Sequence, residues 1–525
     1  MSYNLLIILY DIFIYYVRCY LNYFGTTCNL THSHTTQNLL PLCMFRTVHH
    51  KLPLYIVLVV QTIGIILSCQ NALFWDTIQF ASLHPKYFFD TNFTQLLLPP
   101  DIDSGHPPLF GMYIALVWKL FGGQSLAATH LAMLPWVWLS SFFCYQVGRK
   151  YWGEKKAGWW LLLWSCCPIW ATQSLLVSPD IMLVCASWMA LSAIISDTTK
   201  RQQLAVAIAI LCMVSMRGMM VSVAFLIWQI VVVRTQRYKN IVDLGTNNQK
   251  QKHGNFQRIS SLFDAIKPYI LGLSLGFAYL VWHYSATGWV GYHPSSLWSP
   301  AFQRVDMAGF CRNVVLLVWR LCDVGMLGIW LVIIWSVARK PTAIRRELWL
   351  LLAAMILLLT PSMLWHKGLI AHRYLLPIYA VGALMAADFL FQCARSHLKV
   401  AALGIFLLAG NFWVYPAPIS NGWDSTLAHL PYYGLRRQMI AWIDAHQIGI
   451  AQTGSSFPNR RSLSDTDLNT DPRQFAAKDY QTNRYILYSN IFNDFGTPDF
   501  DTLQTWRVLH ELKSGQVVMR LYTKP

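Results

Sequence analysis

Apolar runs of about twenty residues, long enough to cross a hydrocarbon core, recur along the chain and alternate with polar connections. They predict about eleven spans, at roughly 53–70, 127–147, 158–177, 181–196, 203–217, 219–233, 269–284, 314–338, 347–364, 374–392 and 400–415. Ahead of them, LLIILYDIFIYYV gives way to a polar, His- and Thr-rich stretch. Residues 1–43 therefore read as an extra span, a signal-like segment, or an extension upstream of a start near Met44. The connection 71–125 carries PPLFGMYIALVWKLFGG, in which a Pro pair opens an amphipathic helix lying on or dipping into the interface. The stretch 238–258 is polar and reads as a mobile loop. After Pro416 the pattern changes: YGLRRQMIAWIDAHQIGI has helical spacing, and RYILYS and GQVVMRLYT read as strands. The fold class is an α-helical polytopic membrane protein over 44–415, followed by a small α/β domain over 416–525.

Composition agrees with the pattern. The 525 residues are 55% hydrophobic and only 12% charged, which excludes an ordinary soluble protein. A net charge of +17 would suggest nucleic acid in a soluble domain, but here Lys and Arg sit mainly in short connections between apolar runs. There they set topology, with 149–156, 200–201, 234–267, 339–346 and 395–399 on the cytoplasmic side. The opposite face then receives the connections 71–125 and 285–313 and everything after Pro416. None of the 12 Cys forms a CxxC pair or a metal-binding spacing, so they read as small packing residues.

Chemistry concentrates just past the first span, where Asp76, Asp103 and His106 share one connection and Asp180, in SPDIML, belongs to the same outer level. Acids at a membrane surface are costly to desolvate. Several of them facing one cavity would supply a general base tuned by its neighbours, while the bland reading of Asp76 or Asp180 is a helix cap. Basic groups recur at that level against the positive-inside bias: Arg217, His293, Arg304, Arg312, and the cluster His366, Lys367, His372, Arg373, Tyr374. They fit a phosphate or diphosphate head group, or else snorkelling to lipid. Arg320 and Asp323 lie inside the eighth run, three residues apart, and read as a structural in-membrane pair. No P-loop, GxSxG or HExxH occurs, no cofactor is called for, and a divalent metal has no supporting motif.

The ordered set WDTIQFAS, DSGHPPLFGMYIALVWKLFG, SPDIML, MRG and HRYLLPIY resembles the bacterial membrane glycosyltransferases of family 39, which include the aminoarabinose transferase of lipid A and the protein O-mannosyltransferases. The resemblance covers roughly residues 50 to 400, with HPPLFG and RYLLP its most specific pieces. It implies a GT-C fold with a large first extracytoplasmic loop. It also implies that Asp76 is the catalytic aspartate, although Thr77 stands where relatives carry a second acid. His106 stands in place of a phosphate-binding lysine. Asp180 looks like a second functional acid, with Pro179–Asp180 reversing the relatives' order, and Arg217 and Arg373 match basic positions and become the phosphate ligands.

The combined expectation is an enzyme of the bacterial inner membrane that moves a sugar from a polyprenyl-phosphate donor to an extracytoplasmic lipid, glycan or protein, with inversion. Asp76, Asp103 and Asp180 are its candidate catalytic residues. His106, Arg217, Lys367, His372, Arg373 and Tyr374 are its candidate phosphate-binding residues. Besides donor and acceptor, membrane lipids are the expected partners, and nucleic acid is not one. A transporter or flippase of a lipid-linked solute is the alternative; it calls for paired charges deep inside spans and broken helices in both halves.

Overall fold

The computed structural model describes residues 39–196, 200–243, 251–293, 299–340, 342–416 and 422–525, and the expected leader lies almost wholly outside them. The chain is mostly helical. Five described helices are long and apolar enough to cross a membrane: His50–Ser68, Leu126–Trp152, Phe263–Thr287, Arg346–Trp365 and His372–Leu390. The last is the bundle's axis, its apolar window 94% buried by neighbouring helices. Four further expected runs are shorter apolar helices: Pro179–Ile194, Arg201–Val214, Met216–Val232 and Ser396–Phe412.

Two of the about eleven expected spans are broken. The run 158–177 splits into Glu154–Ser165 and Pro168–Leu175, because Pro168 offers no N–H to the preceding turn and holds Cys167 extended. The run 314–338 splits into Met307–Cys322 and Leu327–Arg339, which meet at 92°. Its corner is made by Val324 and Gly325, both in the left-handed region at φ 43° and 83°. Apolarity carries no information about either corner. The polar stretch 238–258 is not wholly a loop: helix runs to Asp243 and resumes at Gln251, and 244–250 lies outside the described residues.

In the first long connection, Leu109–Leu120 is helical from the Pro pair onward, as expected. It buries Phe110, Ile114 and Trp118 on one stripe, while Leu116, Leu120 and Phe121 face outward.

Among the described residues five strands occur, and all lie after Pro416: β1 (Thr453–Ser455), β2 (Ala476–Ala477), β3 (Tyr485–Ser489), β4 (Arg507–Ser514) and β5 (Val517–Thr523). They form one mixed sheet in the order β2-β1-β3-β5-β4. β1 is parallel to β2 and β3, while β5 is antiparallel to β3 and β4. The helix Pro431–Ala445 packs on β4 and β5. This unit is bound into the bundle. The Phe74 ring stacks on His429 with centroids 5.3 Å apart, Leu73 N–H donates to the Thr466 carbonyl, and Lys86 pairs with Asp465 at 2.7 Å. The sheet and the connection 71–125 therefore occupy the same end of the bundle.

Candidate active site

At that end a cleft of about 440 Å³ opens between the helices. Every expected site residue except Lys367 contributes to its wall. Each is delivered by a local break in helix. Asp76 follows Trp75, whose φ of 56° turns the chain out of the first span. Asp180 lies in the first turn of Pro179–Ile194; Ser178 is the cap, its Oγ accepting from the Asp180 N–H, so Asp180 is not itself the N-cap. Arg217 opens the helix after Ser215, whose Oγ accepts from Gly218 N–H. Gly218 is required there, since a Cβ would sit 1.9 Å from the Leu211 carbonyl oxygen. Arg373 lies in a 3-10 turn, His372–Leu375, that leads into the axial helix.

Two ion pairs converge inside. Arg217 Nη2 lies 2.7 Å from Asp180 Oδ1. Arg373 donates from Nη2 to Asp76 and to the Tyr374 hydroxyl, the latter at 3.1 Å, and its Nε faces Asp424 Oδ2 at 3.4 Å. Both guanidinium groups lie over the Tyr374 ring, 4.2 and 4.9 Å from its centroid. Asp76 and Arg373 are thus brought together from positions 297 residues apart. Guanidinium has five N–H donors, more than these bonds engage, so each pair can still accept a phosphate oxygen.

Four expectations change. Asp103 is 2% exposed and already bound: Oδ1 accepts from Gly105 N–H at 2.7 Å, and Oδ2 meets His283 Nε2 at 2.8 Å. The other nitrogen of His283 lies 3.0 Å from the Trp289 carbonyl oxygen and 3.2 Å from the Thr287 hydroxyl. Asp103 therefore ties its connection to the helix Phe263–Thr287. His106 is not a cation, because burial and then the Arg217 charge push its ring down to about 4. His372 lies in the cleft wall but bonds Asp323 at 2.8 Å. Lys367 has an exposed side chain, and its backbone is spent on Gln303, which sets it outside the cleft.

The corner Asp323–Met326 carries the expected Arg320–Asp323 pair, at 3.0 Å. It is a larger network. Asp323 also receives His372 at 2.8 Å, Tyr415 Oη at 2.5 Å and the Val324 N–H at 2.8 Å.

Sequence reasoning missed Asp424 and His283. The signal for Asp424 was the dipeptide Trp-Asp, present at Trp75–Asp76 and again at Trp423–Asp424. For His283 it was an ionisable residue inside an apolar span. Among the described residues, no three His, Cys, Asp or Glu side chains gather as a metal site.

Residues 105–244 match the model of the family described as dolichyl-phosphate-mannose-protein mannosyltransferase. That segment holds His106, Asp180 and Arg217, while Asp76, Arg373 and Asp424 lie outside it. No curated protein and no solved structure matches the chain. The match agrees with the resemblance drawn from the sequence and implies a membrane glycosyltransferase of the GT-C kind; it assigns no branch within the family.

Proposed function

We propose that this membrane glycosyltransferase moves a sugar from a polyprenyl-phosphate donor to an acceptor on the extracytoplasmic face, inverting the anomeric carbon. The observation that carries the reading is the convergence of Asp76, Asp180, Arg217, Arg373 and Tyr374 on one cleft. In the proposed step an acceptor hydroxyl attacks the anomeric carbon and its proton passes to Asp76. The bond from that carbon to the phosphate oxygen breaks, and its electron pair stays on the phosphate. Arg217 and Arg373 lie where that charge develops. Asp180 orients Arg217 by its 2.7 Å contact, and the neutral His106 offers a hydrogen bond in place of a charge.

The transporter reading calls for charges at depth. Here Asp76, Asp180, Arg217 and Arg373 line a cleft beside the sheet, and the two helix breaks meet each other, Cys167 Sγ lying 3.8 Å from Met326 Sδ. The extracytoplasmic face rests on the Lys and Arg asymmetry. The class is tested by mass spectrometry of lipid that co-purifies with the protein: a polyprenyl-phosphate sugar or polyprenyl phosphate is expected, and consistent absence of both overturns the donor. An impermeant thiol reagent on intact cells tests the face. It should label Asn493→Cys and not Asn247→Cys, and the reverse overturns the orientation.

A further inference from the structure

Three acids touch a guanidinium in the cleft, Asp76, Asp180 and Asp424, against two guanidiniums, Arg217 and Arg373. Asp424 makes the longest of these contacts. Its carboxylate approaches Arg373 Nε only to 3.4 Å, and that buried Nε–H has no hydrogen-bond partner among the described residues. A buried N–H left without an acceptor is unfavourable and is ordinarily satisfied by protein or ligand. One edge of the guanidinium is therefore charge-balanced but not hydrogen-bonded.

The backbone behind Asp424 is held on both sides. Gln173 Nε2 donates to the Asp424 carbonyl at 2.8 Å, and the buried Trp423 donates from Nε1 to the Asn490 carbonyl at 2.9 Å, within the sheet unit. Gly422, at φ 53°, lies against the His372 ring, where a Cβ would come within 2.6 Å. Exchange at the Nε edge of Arg373 thus needs rotation of the Asp424 side chain, which gives up the 3.2 Å bond its Oδ1 accepts from Ser425 Oγ.

We propose that Asp424 is the resident counter-ion of the phosphate subsite: it balances the Nε edge of Arg373 in the empty cleft, yields that edge to an oxygen of the lipid phosphate, and reclaims it to release the product. The inference rests on the reading that Arg373 binds the donor phosphate. Its chemical reason lies in the charges of the two lipids. The donor is a phosphodiester with one negative charge, whereas the product is a monoester with nearly two near neutral pH. The product is therefore held harder than the donor, and a carboxylate competing for the same guanidinium edge favours turnover. Asp424 acts through Arg373 as a positioning residue, and it gives the sheet-bearing unit a part in the site.

The test uses the full-length chain in lipid nanodiscs with undecaprenyl phosphate as the probe. Asp424→Asn should bind the probe roughly five- to tenfold tighter than wild type, the scale of one partly desolvated charge contact. Asp424→Glu should stay within about twofold of wild type. In an Arg373→Lys background, which has no Nε edge, Asp424→Asn should change affinity less than about twofold, because the coupling partner is gone. Asp424→Ser serves under the same criterion if Asp424→Asn does not fold. A purely structural role predicts weaker binding. Equal or weaker binding by folded Asp424→Asn or Asp424→Ser in the otherwise wild-type chain, with wild type binding the probe, overturns this inference and leaves the phosphate reading standing. A wild type that does not bind the probe overturns both.

Discussion

His372 and Arg373 are neighbours in one 3-10 turn, yet they serve two networks of opposite character. His372 joins Asp323, whose carboxylate also takes Arg320, Tyr415 and the Val324 N–H, so both of its oxygens are bonded and it is 2% exposed. Arg373 joins Asp76 and Asp424, with one contact stretched to 3.4 Å and its Nε–H unbonded. Four donors on one carboxylate describe a finished network that holds a corner of the fold. An arginine shared between two acids across a cleft describes an unfinished one, with capacity left for a ligand. His372 and Arg373 are both buried, but Asp323 is closed off while Asp76 and Asp424 keep 15% and 19% of their side chains exposed, so satisfaction and access together separate scaffold from site.

The largest expected effect breaks the unfinished network. Asp76→Asn removes a base with little change in volume, so transfer from the co-purifying lipid donor should fall about a hundredfold or more while the melting temperature stays near wild type. Residual transfer above about a tenth of wild type removes Asp76 from the base role, since that corresponds to roughly 1.4 kcal/mol of barrier.

Breaking the finished network should do the reverse. Asp323→Ala leaves Arg320 and His372 buried without their acceptor, at a cost of about 3–5 kcal/mol in stability. Thermal unfolding in detergent should show a large loss for this variant. A melting curve like wild type's would mean that the corner is held elsewhere.

A smaller effect distinguishes the cleft from its rim. Arg217→Ala and Arg373→Ala should weaken polyprenyl-phosphate binding by roughly 2–5 kcal/mol, because each leaves a partly desolvated charge unpaired. Arg304→Ala, an exposed residue whose backbone pairs with His366 at the mouth, should cost under about 1 kcal/mol. If Arg304→Ala is the most damaged of the three, the phosphate lies under the connection 285–313.

The smallest effect concerns protons. His106 is held near 4 by burial and by Arg217, and His84 and His429 are held near 4 chiefly by burial, against an ordinary 6.5. The folded protein then binds fewer protons than the unfolded chain between those values. The stability these rings lend is complete above about pH 6.5 and is lost as pH falls toward 4. His106→Gln should therefore flatten the loss of melting temperature over that window while leaving the value at pH 7.5 nearly unchanged. An acid limb identical to wild type's would show that His106 is charged in the fold.

Several elements were legible because their cause is local. The Pro pair before Leu109 favours a helix start, and strands β3 and β5 follow from short apolar, β-prone runs at Tyr485–Ser489 and Val517–Thr523 bounded by turn residues. Asp76, Asp180, Arg217 and Arg373 were legible as a set, since each is a charge at the end of an apolar run and needs a reason to be there. The corner at Val324–Gly325 was not legible, because mean hydropathy is the same for a straight helix and a bent one. The partners of Asp103 and His372 were not legible for a related reason: a titratable residue near a cleft looks the same in sequence whether its partner is a ligand or a buried side chain.

By itself, then, the sequence determined a membrane bundle with its chemistry gathered at one end, because apolar length and charge position are properties of consecutive residues. It also supplied four of the five residues on which the proposed site converges by that rule, Tyr374 entering only as the neighbour of Arg373. Tertiary structure alone decided which charges pair. Asp424 reaches Arg373 from beyond the last apolar helix, and His283 reaches Asp103 across 180 residues. Whether a carboxylate is a base, an anchor or a counter-ion depends on which donors the fold brings within 3 Å of it, and that distance is set by packing between segments with no neighbourhood in the chain.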